Sequence, residues 1–195
     1  IIEDLEKLLA FTLNSRIKEI RLMLYNKEEI SKEYLEVLLK KNKRVESVTL
    51  HNCSSYQSYS VKGVKIRHIK DVLSCEGCGQ INKDSFVVNI PTFTESIKFN
   101  NCLNRKISID ANGEIKNCPS QNVGFGNIST ESLAEVLKLK KFTDSWQIGK
   151  DKILVCQDCE FRYICIDCRV FVDNPDIQNS KPSNCNYDPY TSTWN

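Results

Sequence analysis

The chain has 195 residues with 27 Lys and Arg, 25 Asp and Glu, a formal net charge of +2, and ten cysteines. This near-neutral balance gives no electrostatic support for binding nucleic acid or an anionic membrane surface. No apolar run approaches the roughly 18 residues of a membrane-spanning helix. Because His51 and His68 are the only histidines, any metal in this protein must be held mainly by thiolates.

The start of the chain, Ile1-Ile2-Glu3, lacks a Met and lacks the basic and apolar regions of a secretory signal. We expect that further residues precede Ile1 in the complete protein, or that the start has been processed, and that the protein is cytoplasmic. In a reducing compartment, clustered cysteines indicate metal binding or catalysis more often than disulfides. A secreted disulfide protein is therefore the least favoured interpretation.

The first part of the chain has the pattern of α/β structure. Apolar residues recur at helical spacing in some segments and alternate in others, as at Ile20, Leu22 and Leu24. The predicted elements are helix 2–13, strand 18–25, a helix with its apolar stripe from Ile30 to Leu39, strand 45–50 and strand 61–69. The strand–helix–strand order implies parallel strands with a right-handed crossover.

Two further features of this part have structural interpretations. Lys40, Lys41, Lys43 and Arg44 cluster near the end of the second predicted helix, where cations suit the helix dipole. We interpret them as a solvated helix end and not as a binding patch. Cys53, the only cysteine before residue 75, is interpreted as a small buried hydrophobe.

The second part has short elements and many loops. Alternating Ile107 and Ile109 followed by Asn112-Gly113 predict a β-hairpin. A helix is predicted after Ser129, which is a suitable N-cap, and a short helix is predicted near 160–167. The aromatic tail at 187–194 is expected to pack back on this part of the chain.

Two groups of cysteines carry the functional signal. In the first, Cys102 and Cys118 bracket the predicted hairpin. A hairpin returns its ends to within about 4.8 Å, the spacing of neighbouring strands. The two thiols are therefore expected to converge on one metal site.

The second group is Cys156-x2-Cys159-x5-Cys165-x2-Cys168, followed by Cys185. Five intervening residues are too few for an ordinary zinc ribbon and do not match the bacterial ferredoxin run. The two Cys-x2-Cys pairs must lie close together without having to bind one centre. Four basic residues near these cysteines either offset thiolate charge or are exposed surface charges, and both readings stay open: Lys152, Arg162, Arg169 and Lys181.

These spacings resemble the SPASM domain, the auxiliary-cluster module of many radical SAM peptide-modifying enzymes. The sequence segments around these cysteines more specifically resemble the maturases of grasp-with-spasm peptide systems. The matching words are Asn101 to Asp110, Gly113 to Ser120, Cys156 to Cys165, Lys181-Pro182 and Tyr187-Asp188-Pro189-Tyr190. The resemblance is strong over 75–195 and weak over 1–74.

The resemblance implies an α+β protein in two parts. Residues 1–74 would be a partial α/β barrel-like segment, a degenerate or truncated remnant of a radical SAM barrel. Residues 75–195 would be a loop-rich SPASM module with a β-hairpin and a helix, holding two auxiliary 4Fe-4S clusters. The implied ligands are Cys78, Cys102, Cys118 and Cys168 (site I) and Cys156, Cys159, Cys165 and Cys185 (site II).

Two points qualify the ligand sets. Cys75 is the alternative to Cys78 as the upstream ligand. The commoner family pattern has three residues where this chain has two between Cys165 and Cys168.

The radical SAM motif Cys-x3-Cys-x2-Cys is absent from the sequence, because no two cysteines are four positions apart. This chain alone should therefore not cleave S-adenosylmethionine, and whether it is an enzyme stays open. The favoured function is an iron–sulfur protein in the maturation of a ribosomally made peptide, binding the precursor peptide, an ATP-grasp ligase or both. The alternatives are a zinc-stabilised interaction module and a fragment of a complete radical SAM oxidoreductase.

Overall fold

In the computed structural model, the described residues are 2–26, 30–72 and 78–194. The chain divides into two compact units, Ile1–Ser74 and Cys75–Asn195. Both units mix short helices with small sheets, and the second is rich in loops, which confirms the predicted α+β class. Within the described ranges, no helix is long and apolar enough to cross a membrane.

In the first unit, residues 2–26 and 30–72 form one four-stranded sheet and two helices. Its elements are α1 (Ile2–Thr12), β1 (Ile20–Tyr25), α2 (Lys32–Lys41), β2 (Val45–His51), β3 (Gln57–Val61) and β4 (Val64–His68). The strand order is β1-β2-β4-β3. Strand β2 pairs in parallel with β1 and β4, and β3 pairs antiparallel with β4. The predicted parallel pair around α2 is confirmed.

The predicted strand 61–69 corresponds to β4, which begins only at Val64, whereas β3 was not predicted. This region belongs to a hairpin, in which β3 and β4 are joined by Lys62 and Gly63 with φ of 52° and 84°. Two successive residues of positive φ are the geometry of a type I′ turn, which Asn-Gly usually signals. The sequence has Lys-Gly instead, so the usual signal was missing.

The core of the first unit confirms the reading of Cys53. This residue is 9% exposed within the main apolar cluster, and its Sγ donates to the Leu50 carbonyl at 3.3 Å. The other members include Leu35, Leu38 and Ile66, all buried. Cys53 therefore belongs to the packing of this unit.

Arg44 departs from the expected solvated helix end. Its Nη1 donates to the Thr12 carbonyl at 2.6 Å and its Nη2 to the Leu13 carbonyl at 3.1 Å. These carbonyls lie at the C-terminal end of α1, where backbone acceptors lack intrahelical partners. The interpretation is wrong for Arg44, which closes α1, and the three lysines of the cluster are exposed.

In the second unit, residues 78–194 form three short helices, two two-stranded sheets and several 3₁₀ turns. Its elements are α3 (Ile90–Lys98), β5 (Ser108–Ile109), β6 (Ile115–Lys116), α4 (Leu133–Val136), α5 (Lys140–Thr143), β7 (Tyr187–Asp188) and β8 (Thr193–Trp194). The 3₁₀ helices are Lys83–Ser85, Asp144–Gln147, Lys150–Lys152 and Cys156–Asp158.

The predicted hairpin is confirmed by the antiparallel pairing of β5 with β6. Asp110 stabilises its turn, because its Oδ1 accepts from the backbone N–H groups of Asn112 at 2.9 Å and Glu114 at 3.0 Å. Gly113 has φ of 80°, a value that glycine adopts without steric cost.

Two helix predictions differ from the structure, and one helix was not predicted. Helix α4 begins after Ser132, whose Oγ accepts from Ala134 N at 3.2 Å, so Ser129 is not the N-cap. Ser129 instead donates to Asn127 Oδ1. The short helix near 160–167 is absent, since those described residues form turns. Helix α3 is missing from the predicted elements, although Asn89 is its N-cap and accepts from Thr92 N at 2.8 Å.

Aromatic side chains pack into the second unit at two places. Phe142 is fully buried beside Ile115 and Val136. In the tail, Tyr187 packs against Phe161 with ring centroids 5.1 Å apart and against Trp194 at 4.9 Å. The expected return of the tail onto this unit is confirmed.

Candidate metal centres

Site I surrounds a cavity. Cys78, Cys102, Cys118 and Cys168 all line one cavity of about 330 Å³ in the second unit. They come from four separate stretches of chain. The fold therefore brings together the four cysteines that the resemblance groups as site I.

The approach to Cys102 is fixed by the residue two positions before it. Asn100 is fully buried, and its Oδ1 accepts from the backbone N–H groups of Cys102 at 3.0 Å and Leu103 at 2.8 Å. This is an Asx turn, in which a side-chain acceptor replaces a backbone one. The turn orients the start of the Cys102 loop.

Cys118 follows the hairpin strand β6 and a buried asparagine. Asn117 donates from Nδ2 to the Phe142 carbonyl, and its Oδ1 accepts from Trp146 Nε1 at 2.6 Å. The residue that precedes Cys118 is thus tied to the aromatic core of the unit.

Gly79 lies against Cys168, and both residues line the cavity. A Cβ at Gly79 would lie 3.0 Å from Cys168 Sγ, and the φ of this glycine is 76°. The Cys168 sulfur also accepts from Phe171 N at 3.4 Å. Only a glycine satisfies both the backbone conformation and the close approach.

The thiols of site I interact electrostatically. Burial raises the pKa of the Cys102 thiol to about 11, the nearby Lys106 lowers it, and the thiols of Cys168, Cys118 and Cys78 raise it further. Mutual repulsion of this kind places the four sulfurs in one electrostatic neighbourhood. A bound cationic centre would lower the pKa of these thiols, because metal ligation favours the thiolate.

Site II is built on the loop before and after the 3₁₀ helix Cys156–Asp158. Burial raises the pKa of Cys165 to about 11 and also raises the pKa values of Cys156 and Cys159. The thiol of Cys185 contributes to the rise at all three. The thiols of these cysteines are therefore close enough to interact electrostatically.

Two backbone features position this second group. Cys185 forms an isolated parallel β-bridge with Ile81, which fixes the backbone at this ligand. Val155, directly before Cys156, has φ of 68°. A β-branched residue rarely adopts that conformation, and such strain concentrates at functional sites.

A buried cation contacts site II. Lys150 is 3% exposed, and its Nζ lies 3.6 Å from Cys165 Sγ and 3.9 Å from Cys156 Sγ. Burial lowers the pKa of Lys150, but the charges of Asp167 and the two thiols outweigh burial and raise it above its ordinary value. The ammonium group therefore stays charged beside the sulfurs.

Asp167 is the counter-charge. It is 1% exposed, lies 4.0 Å from Lys150 Nζ, and accepts from Arg169 Nε at 2.9 Å. Arg169 also lines the site I cavity. A buried Lys–Asp–Arg set thus lies between the two groups of cysteines.

The basic residues singled out from sequence have different positions. Arg169 is the one that joins the buried set. Arg162 pairs with Asp151 at 3.1 Å. The other two donate to backbone carbonyls: Lys152 to Gln147 at 2.8 Å and Lys181 to Tyr187 at 3.1 Å. Lys150 was missed, because nothing in the sequence distinguishes it from Lys152.

Two cysteines remain. Cys75, the alternative upstream ligand, lies outside the described residues. Cys78 lines the site I cavity. Cys53 belongs to the core of the first unit. Among the described side chains, no three or more of His, Cys, Asp and Glu converge as a single metal ion would require.

The donor set fits an iron–sulfur centre. Four cysteine thiolates are the usual ligands of a 4Fe-4S cluster. The site I cavity of about 330 Å³ far exceeds the roughly 30 Å³ that one water occupies in the liquid. It has room for a centre of several atoms held from its walls.

These features define an α+β protein with two cysteine-lined sites in its second unit. In comparisons with known proteins, residues 101–160 match the SPASM family model, an iron-sulfur cluster-binding domain. The match includes Cys102, Cys118, Cys156 and Cys159, and it supports iron–sulfur cluster binding in this part of the chain. No curated protein and no solved structure matches the chain.

Proposed function

We propose that the second unit binds two auxiliary 4Fe-4S clusters and that the protein acts in the maturation of a ribosomally made peptide. Site I would use Cys78, Cys102, Cys118 and Cys168, and site II would use Cys156, Cys159, Cys165 and Cys185. The protein would bind the precursor peptide, an ATP-grasp ligase or both.

One observation carries the two-cluster proposal, namely that eight cysteines fall into two separate groups of four. One group lines a cavity, and the other shares electrostatic interactions around Cys185. Each group supplies a full set of thiolates for one cluster. The assignment to peptide maturation is supported only by the resemblance of these sequence segments to grasp-with-spasm maturases.

When bound, such clusters supply one-electron oxidation and reduction. Full thiolate ligation leaves no iron position open to substrate, so we expect electron transfer or structural support. The role of this chain is to hold the sulfurs, to shield them by burial and to place charge near them.

Metal analysis tests the cluster proposal. We expect anaerobically purified protein to contain about eight iron and eight sulfide ions per chain, the content of two 4Fe-4S clusters. C102S and C156S should each lose about half of this iron, and the double variant nearly all. C53S is the matched control and should keep all of it, because Cys53 lies in the core of the first unit.

Other results would overturn the proposal. A folded, colourless and iron-free protein from anaerobic cells contradicts it. Stoichiometric zinc in that preparation would favour a zinc-stabilised interaction module, since tetrathiolate sites also suit zinc.

The partner proposal needs a separate experiment. The genes beside the one that encodes this protein are searched for an ATP-grasp ligase and a short precursor peptide, and binding of each purified product to the iron-loaded chain is measured by calorimetry. Saturable binding of either one supports the proposal. Lack of binding by both, with iron present, overturns the maturation role and leaves the cluster assignment intact.

A further inference from the structure

Lys150 is the one buried lysine in contact with cysteine sulfur among the described residues. Its Nζ is within hydrogen-bonding distance of both Cys165 Sγ and Cys156 Sγ. Burying an ammonium group without a partner is costly. Its position therefore depends on the charges around it.

The surrounding contacts hold this ammonium group in place. Asp167 lies 4.0 Å from Nζ and is itself held by Arg169 Nε and by Asn100 Nδ2, each at 2.9 Å. The Lys150–Lys152 3₁₀ helix carries Lys150 inward, whereas Lys152 in the same helix is exposed. The tertiary structure thus fixes one cation against two sulfurs of site II.

At site I, the two basic residues that line the cavity are placed differently. Lys106 lines its cavity but is exposed. Arg169 also lines it, but its Nε donates to Asp167 and its Nη1 to the Ser180 carbonyl at 2.8 Å. The two sites therefore differ in electrostatic environment.

We propose that Lys150 is a positioning and charge-setting residue of site II, which makes a cluster bound there easier to reduce than it would be without this cation. This inference rests on the proposed cluster binding. Four thiolates around a dicationic core carry a net charge of −2, and one added electron makes it −3. A cation a few ångströms away in a low-dielectric interior stabilises the more negative state more strongly. Hydrogen bonds to cluster sulfurs and net charge are known to set reduction potentials.

The test uses reduction of the iron-loaded full chain. Each variant is made in the C102S background, so that site II is the filled site, and is titrated anaerobically with dithionite while electron paramagnetic resonance follows the reduced cluster. We expect K150M and K150Q to lower the equilibrium constant for reduction at least tenfold. This change lowers the reduction potential by about 59 mV for a one-electron couple. K150R should recover most of the loss. K152M is the matched control and should leave the potential unchanged.

The outcomes separate this inference from the function on which it rests. Full iron in site II of K150M and K150Q, with an unchanged potential, would overturn it. Loss of site II iron in K150M and K150Q but not in K150R would support the positioning role. An iron-free parent protein would overturn the cluster proposal first. Circular dichroism of each apo-protein verifies folding, and K150Q carries the test if K150M does not fold, because it keeps polar donors near the sulfurs.

Discussion

Asn100 donates a hydrogen bond from Nδ2 to Asp167 Oδ2 at 2.9 Å, across 67 positions of the chain. The same buried side chain accepts from the backbone at Cys102 and Leu103. One residue therefore ties the loop that carries Cys102 to the segment between Cys165 and Cys168.

Replacement of Asn100 by leucine should destabilise the second unit. N100L keeps the approximate volume but leaves two N–H groups and part of Asp167 without their partner. Because each unmet buried group costs about 1–3 kcal/mol, the free energy of unfolding should fall by about 3 kcal/mol or more. Urea denaturation of the apo-protein measures it. N179L at an exposed asparagine is the control, and equal small losses in both variants would contradict the prediction.

Two glycines with positive φ should respond differently to alanine. Gly63 has φ of 84° and open space around a Cβ, whereas Gly79 has φ of 76° and Cys168 Sγ at 3.0 Å. G63A should cost only the backbone strain, about 1–2 kcal/mol. G79A should also displace Cys168 and reduce the iron content by about half. Full iron in G79A would show that Cys168 does not need this close approach.

The hairpin turn should contribute a pH-dependent part of the stability. The hydrogen bond from Lys116 lowers the pKa of Asp110 below its usual value, and the two charged atoms lie 2.8 Å apart. A carboxyl group with a lowered folded-state pKa stabilises the fold above its unfolded pKa of about 3.9, and this stabilisation is lost as the pH falls through the folded-state pKa.

The variant D110N isolates this contribution. An asparagine keeps the acceptor for the Asn112 and Glu114 N–H groups and removes the charge. Its free energy of unfolding should be below that of the parent at pH 7 and should converge with it near pH 2. An equal difference at both pH values would exclude a titrating ion pair as the cause.

Metal removal should loosen the two units unequally. Metal binding is coupled to folding where a site forms only in the folded state, and all eight proposed ligands belong to the second unit. After iron is removed with a chelator, amide hydrogen exchange should quicken over 150–190 and stay unchanged in β2 and β4. Cys159→Ala should give the same pattern. Uniform loosening of the whole chain would contradict the prediction.

The sequence predicted those elements whose signals are local. Periodicity located α1, β1, α2 and β2, and Asn112-Gly113 located the β5–β6 hairpin, because glycine readily takes the φ that this turn requires. The family resemblance grouped the cysteines into two sets, and the four of site I line one cavity. Their roles as ligands stay predictions.

The features that were missed depend on tertiary packing. Lys150 and Lys152 share a three-residue helix, and only the packing of distant segments decides which of them is buried. Asn100 resembles any loop asparagine until Asp167 is placed beside it. The β3–β4 turn uses Lys62 at positive φ, an uncommon choice that no pattern rule anticipates.

Cys165 belongs to the site II group and Cys168 lines the site I cavity. The three peptide units between them limit their Cα separation to about 11 Å. Covalent geometry, and not the packing of elements, therefore sets an upper bound on the distance between these two walls. Motion of the surrounding loops can bring the two cysteines closer together, but it cannot separate them beyond this limit.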